Sequence, residues 1–158
     1  MKRLLIVYHT QFGATKQMAE AATGGARQID DVETILKRAA DAGIDDLLDC
    51  DGLIIATSEN FGSLSGMVKD FLERVYYPSE GKVEGKPYTV LVCASNDGAG
   101  AMLQTDRIAT GLRLRKVHPG TIYKSGRIAQ AHDVPDSALA VCAEIGATLA
   151  AGLAGGVH

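Results

Sequence analysis

The chain has 158 residues, 46% of them apolar and 22% charged, an ordinary composition for one globular domain able to bury a core. Its net charge of −3 argues against a nucleic-acid partner, which requires a basic face to neutralise phosphates. The N-terminus offers two charges and then too short an apolar run for a signal h-region, and no apolar stretch approaches the ~20 residues of a membrane span.

In chain order, Arg3–Tyr8 reads as a strand and Ala14–Arg27 as an Ala-rich helix. Val32–Arg38 is a weaker strand, and Asp45–Asp49 a short helical turn. Asp51–Ser58 is the third strand; Ser63–Tyr77 is its helix, with Leu64, Val68, Phe71, Leu72 and Val75 at helical spacing. Tyr88–Ser95 is the fourth strand, followed by a helix over Gly100–Lys116 whose basic end, Arg113–His118, reads as solvated. Gly120–Gly126 is a short fifth strand, and the last helix spans Pro135–Leu153 with Pro135 in its first turn. No composition break or repeat divides the chain, so residues 1–158 read as a single domain.

Strict alternation of strand and helix predicts an α/β fold, a five-stranded parallel sheet with helices on both faces. Strands one, three and four are nearly continuous in Leu, Ile and Val, as strands buried on both faces are; strands two and five carry Glu33, Lys37, Lys124 and Ser125, which suits edges. The predicted order is therefore 2-1-3-4-5. Ligands of such sheets bind beyond the carboxyl ends of the strands, so the loops after Tyr8, Thr57 and Cys93 are the places to look for chemistry.

The first of these loops supplies what a phosphate requires: backbone N–H groups at a helix start, hydroxyls at Thr10 and Thr15, and Gly13 where the backbone must come close. It has no Lys or Arg before Lys16 and lacks the GxxxxGK[ST] spacing, so it suits an anion that is held, not transferred. An ordinary strand-to-helix turn has a similar composition. After the fourth strand, Ser95, Asn96, Asp97 and Gly98 read either as a small polar loop at the same edge or as a plain Asn-Asp-Gly turn.

The run Ile6-Val7-Tyr8-x-Thr10-x-x-Gly13-x-Thr15-x-x-x-Ala19 resembles the flavodoxin signature, with Ala22 where that signature has a larger aliphatic residue. The segment Thr57–Val75, with Phe61, Gly62, Gly66, Lys69, Phe71, Leu72, Glu73 and Arg74, is similar to the ring-binding segment of flavodoxin-like NAD(P)H-dependent FMN reductases and quinone reductases. The family's proline is Ser58 here and the spacing matches approximately. This resemblance implies a three-layer flavodoxin-like fold and FMN as cofactor. It implies a phosphate held by Thr10, Gln11, Phe12, Gly13, Ala14 and Thr15, and a flavin ring between Ser58, Glu59, Asn60, Phe61 and Gly62 on one side and Ser95, Asn96, Asp97 and Gly98 on the other. Phe61 would then lie against the ring; its other reading is a loop residue capping the core. Gly66 would allow close helix approach, and Lys69 with Glu73 would support the helix surface.

Electron-carrier flavodoxins often enclose the ring between two aromatics and are strongly acidic. Here the loop after the fourth strand has no aromatic and the charge is mild, so one ring face is expected to stay open to a nicotinamide or an acceptor. The resemblance therefore implies an oxidoreductase passing electrons from NAD(P)H through FMN to a quinone, flavin or similar small acceptor, with no catalytic side chain beyond the cofactor itself. The alternative is a one-electron carrier that docks a redox partner protein. A receiver domain of the same fold would require acidic residues where His9 and Thr57 stand. Cys50, Cys93 and Cys142, lacking CxxC spacing, read as free thiols and suit the cytoplasm. His118, His132 and His158 have no metal-ligand spacing; His9 either assists the anion or serves the turn. Tyr76 and Tyr77 suit a site mouth or a subunit interface, and reductases of this resemblance are often homo-oligomers.

Overall fold

The computed structural model describes residues 1–126 and 133–158. Strand β1 (Lys2–Tyr8) runs parallel to β2 (Val32–Arg38) on one side and to β3 (Gly52–Asn60) on the other, and β3 pairs in parallel with β5 (Pro87–Ala94). Side chains alternate across this ladder. Leu5, Val7, Leu53, Ile55, Val90 and Val92 face one core, where α2 (Ile44–Asp49), α3 (Gly66–Tyr76) and α4 (Ala99–Gly111) pack. Leu4, Ile6, Ile54, Ala56 and Leu91 face the other, covered by α1 (Ala14–Ala26) and α5 (Asp136–Ala154). This is the three-layer flavodoxin-like architecture, with the predicted strand order.

The sheet holds seven strands, because two segments of two residues join the expected five. Ser63–Leu64, expected in a helix, forms β4, antiparallel to the end of β3. The reason lies at Ser65, whose hydroxyl accepts the Val68 N–H at 3.2 Å; as N-cap it delays α3 to Gly66 and leaves the two preceding residues extended. Arg115–Lys116, also expected in a helix, forms β6 on the lower half of β5, while β7 (Thr121–Lys124) pairs with its upper half. Helix α4 stops at Gly111 because Arg113 turns left-handed (φ 62°), so Arg113–His118 is a turn entering an edge strand and not a helix end. Pro135 stands one position before the last helix, as its N-cap.

Half-buried cations hold the lower edge. The Lys86 ammonium donates to the carbonyls of Leu47, Leu48 and Cys50 at 2.6–2.8 Å, where α2 ends. Arg74 donates to the Ala39 and Ala42 carbonyls, each at 2.8 Å, and pairs with Asp70; among the described residues this ion pair, not Lys69 with Glu73, is the one α3 forms. Gly66 has open space where a Cβ would stand, so it does not serve close packing. Tyr76 sits beside Gly111 at the end of α3 remote from the site, edge-on to the exposed Tyr77; neither reaches the site mouth.

Helix α5, 19 residues with an 18-residue window of mean hydropathy 1.6, is long and apolar enough to cross a membrane by length and composition alone. Its stripe of Cys142, Ile145, Gly146, Leu149, Ala150 and Leu153 is buried in the α1 core, which accounts for that apolarity. The two helices meet on glycine: a Cβ at Gly25 would stand 1.9 Å from the Ala143 carbonyl oxygen, and one at Gly146 1.9 Å from that of Ala22. Gly24, next along α1, faces open space. Gly25→Ala should therefore lower unfolding stability by about 1–3 kcal/mol through overpacking, whereas Gly24→Ala should raise it by about 0.5–1 kcal/mol. Urea unfolding of the two variants checks this; equal effects would refute the contact.

Candidate functional site: a three-loop cleft

At the carboxyl edge, the loops following β1, β3 and β5 enclose a cleft of about 520 Å³, in the range of small-molecule sites. Its lining holds every sequence-predicted site residue except Gly13 and Gly98, and adds Cys93, Ala94 and Ser125. The two glycines shape the helix starts. Gly13 (φ 105°) and Gly98 (φ 88°) stand in left-handed backbone at the starts of α1 and α4, and a Cβ on Gly98 would lie 2.4 Å from Ile122.

In the first loop the Gly13 N–H donates to the Thr10 hydroxyl at 2.8 Å, closing a turn that delivers the chain into α1. By helix geometry the next N–H groups have no carbonyl behind them. Helix α1 has no acidic residue in its first turn, so its positive end is directed at the cleft. Thr15 is buried, and its hydroxyl bonds with the Cys93 thiol. Cys93 sits where the β3–β5 ladder ends, opposite Ser58. Burial pushes its thiol pKa up, with the Thr15 bond opposing; the free thiols of Cys50 and Cys142 are pushed up to about 11, chiefly by burial. Buried position thus favours the inert thiol form in all three.

His9 lies beside this loop but not in the lining. Burial, and then the Arg38 guanidinium, lower its pKa, so the site disfavours an imidazolium and His9 adds little to anion binding. His118 serves a turn, its Nδ1 accepting the Gly120 N–H at 2.9 Å, and His158 folds over Gly152; His132 lies outside the described residues.

The second loop is a hairpin. Beyond Ser58, β3 leaves the parallel ladder and pairs back on itself, Glu59 with Leu64 and Asn60 with Ser63. Its two-residue tip, Phe61 and Gly62, has positive φ at both positions (54° and 71°), the pattern of a type I′ turn. Asn or Gly normally fills the first position; an aromatic there is strained. Phe61 is fully exposed at the cleft rim and does not cap the core. The Thr57 hydroxyl accepts the Ser65 N–H at 2.9 Å and ties the hairpin's return.

The third loop, Ser95–Asp97, is small and polar. It is braced by Ser125, whose N–H donates to the Ala94 carbonyl at 2.8 Å, while the Gly126 N–H donates to that of Ser95. Ser125 escaped the sequence reading because an edge-strand serine has no motif; its place at the end of β7, the next strand along, was the available signal. Among the described lining residues only Glu59 and Asp97 carry charge, and both are acidic. The donor set thus fits FMN: neutral hydroxyls and helix N–H groups at the phosphate end, and backbone groups around a slot for the ring.

The family model described as NADPH-dependent FMN reductase matches residues 17–126, and the chain belongs to that family of FMN-binding, flavodoxin-like oxidoreductases. A flavodoxin of Aquifex aeolicus (strain VF5) is 34% identical over 100 residues, covering 63% of this chain and 52% of that protein. A NAD(P)H dehydrogenase (quinone) of Acidithiobacillus ferrooxidans (strain ATCC 53993 / BNL-5-31) is 31% identical over 121 residues, covering 63% of this chain and 60% of the relative. The chain thus matches little more than half the length of each. The solved structure of a flavodoxin from the domain Archaea superposes with a TM-score of 0.80 over 96% of this chain and 99% of its own, at 17% identity, a likeness of fold.

The tip geometry carries a stability consequence. Phe61→Asn places a residue that tolerates the left-handed region at the same turn position and should stabilise the protein by on the order of 1 kcal/mol. An unchanged or lowered urea midpoint would show that the tip is not strained.

Proposed function

We propose that the cleft holds FMN with its phosphate on Thr10–Thr15 and its ring between Ser58–Gly62 and Ser95–Asp97, and that the loaded protein passes electrons from NAD(P)H to a small acceptor such as a quinone or a free flavin. The observation that carries this reading is the junction of two unlike ends in one cleft. A cradle of neutral donors at the α1 N-terminus opens directly into a slot walled on one side by the hairpin bearing Phe61. FMN, when bound, supplies the exchange of a hydride for electrons; the protein's part is to bind and orient it.

Each loop then has a separable task. Thr10 keeps its hydroxyl proton available while its oxygen accepts the Gly13 N–H, so it can donate to a phosphate without releasing the turn. Phe61 covers one ring face, an aromatic contact of about 0.5–1.5 kcal/mol beyond area. Ser95, Asn96 and Asp97 border the other side without an aromatic, leaving room for a nicotinamide or an acceptor. The free thiols suit a cytoplasmic protein. The similarity to a flavodoxin supports a second reading, a one-electron carrier on the same cleft that takes electrons from a separate reductase.

Anaerobic mixing of the FMN-loaded protein with NADPH or NADH separates the two. Bleaching of the flavin band within seconds is expected; a band that survives both donors but yields to a reductase identifies the carrier. Thr10→Ala with Thr15→Ala should weaken FMN by about tenfold or more and riboflavin far less. Equal losses for the two flavins would displace the phosphate from this loop.

A further inference from the structure

Glu59 lines the cleft, yet its carboxylate is already engaged on the far side of it. Oε1 accepts the Gly98 N–H at 3.0 Å and Oε2 the Ala101 N–H at 3.2 Å, both in the first turn of α4 and about forty positions away in sequence. Asp97 Oδ1 accepts the Ala99 N–H at 3.2 Å. The α4 N-terminus, which has no cap from its own N-cap residue, is thus capped across the cleft by a charge from the hairpin.

Two further contacts follow the same seam. A Cβ on Gly100 would stand 2.0 Å from the Gly62 carbonyl oxygen, so the hairpin tip rests on the backbone of α4. One turn later the Ser63 hydroxyl donates to Gln104 Oε1 at 2.5 Å. Glu59, Gly62 and Ser63 therefore meet Gly98, Gly100, Ala101 and Gln104 in register, and Phe61 is the tip residue that this seam leaves facing outward, fully exposed.

From this geometry we propose that Glu59 is a positioning residue: it fastens the β3–β4 hairpin to the first turn of α4 and so sets the width of the slot between the second and third loops, where the flavin ring lies. The proposal rests on the flavin reading above. It assigns Glu59 no contact with the ring; the residue acts through the placement of Phe61 and of the Gly98 backbone. Both oxygens are required. A glutamine keeps the reach but presents one acceptor and turns an NH₂ toward the second N–H. An aspartate keeps the charge and loses the reach.

The test combines amide exchange with ligand titration. In apoprotein, Glu59→Ala should accelerate exchange at Gly98 and Ala101 by about tenfold or more, the scale of a lost charge-assisted hydrogen bond, while the buried amides of β1 and β3 keep their rates. The same variant should weaken FMN and riboflavin by one common factor of about tenfold, because the fastening lies at the ring and not at the phosphate. Glu59→Gln should fall between the two proteins in both measurements, and it carries the comparison should Glu59→Ala not fold. Unchanged exchange at Gly98 and Ala101 overturns the fastening. Faster exchange with unaltered flavin affinity overturns its role in the site, and weaker flavin binding with unaltered exchange makes Glu59 a direct ligand instead. If the wild type binds neither flavin, the functional reading fails together with the role of the fastening, whatever the exchange rates show.

Discussion

The site depends on the parallel ladder formed by β1, β3 and β5. Parallel strands cannot be joined by tight turns; each must return over a face of the sheet, so all their carboxyl ends reach one edge. Leu4–Tyr8 against Gly52–Ala56, and Leu53–Ser58 against Tyr88–Cys93, fix that edge in register. Three loops distant in sequence consequently open into one cleft. The alternation of side chains between two helical layers holds the ladder flush, and the Gly25–Ala143 and Gly146–Ala22 contacts let α1 and α5 lie close over its first strands.

Once the ladder ends, each strand solves the exit differently. β1 stops at Tyr8 and turns through Gly13 into a helix; β5 does the same through Gly98. β3 alone continues past its parallel partners. With Ser58 as its last paired residue opposite Cys93, the chain beyond is an unpaired edge, and it satisfies its backbone by folding back as β4. The outcome is a hairpin standing clear of the sheet, and a residue at its tip with nothing of the core to touch.

Much of this was legible in the sequence because it rests on periodicity. The strand order followed from which apolar runs were continuous, and the cleft-lining stretches from their places after β1, β3 and β5. What escaped rests on single side chains acting at a distance. Ser65 as N-cap decides that Ser63–Leu64 is strand and not helix, although Leu64 keeps helical spacing with Val68. Arg113 ends α4 in a conformation usually left to glycine, which no pattern in a basic run announces. Glu59 reads locally as one more loop residue, since its partners lie near position 100. Cys93 and Ser125 enter the lining only through strand register.

The two helices that begin at this edge are treated oppositely, and that contrast orients whatever binds between them. Both α1 and α4 start from a left-handed glycine, without a side-chain cap from that residue and with no acidic residue in the first turn. Left alone, each would be an equivalent anion site. At α4, however, Glu59 and Asp97 supply negative charge to Gly98, Ala99 and Ala101, and a second anion would meet repulsion there. At α1 the neutral hydroxyl of Thr10 accepts the Gly13 N–H, and among the described residues no carboxylate is bonded to its first turn. A ligand with one anionic end and one flat neutral end therefore has a single favourable direction in the cleft. On the function proposed above, its charge would go to the Thr10–Thr15 cradle, and its ring beneath the hairpin that Glu59 secures.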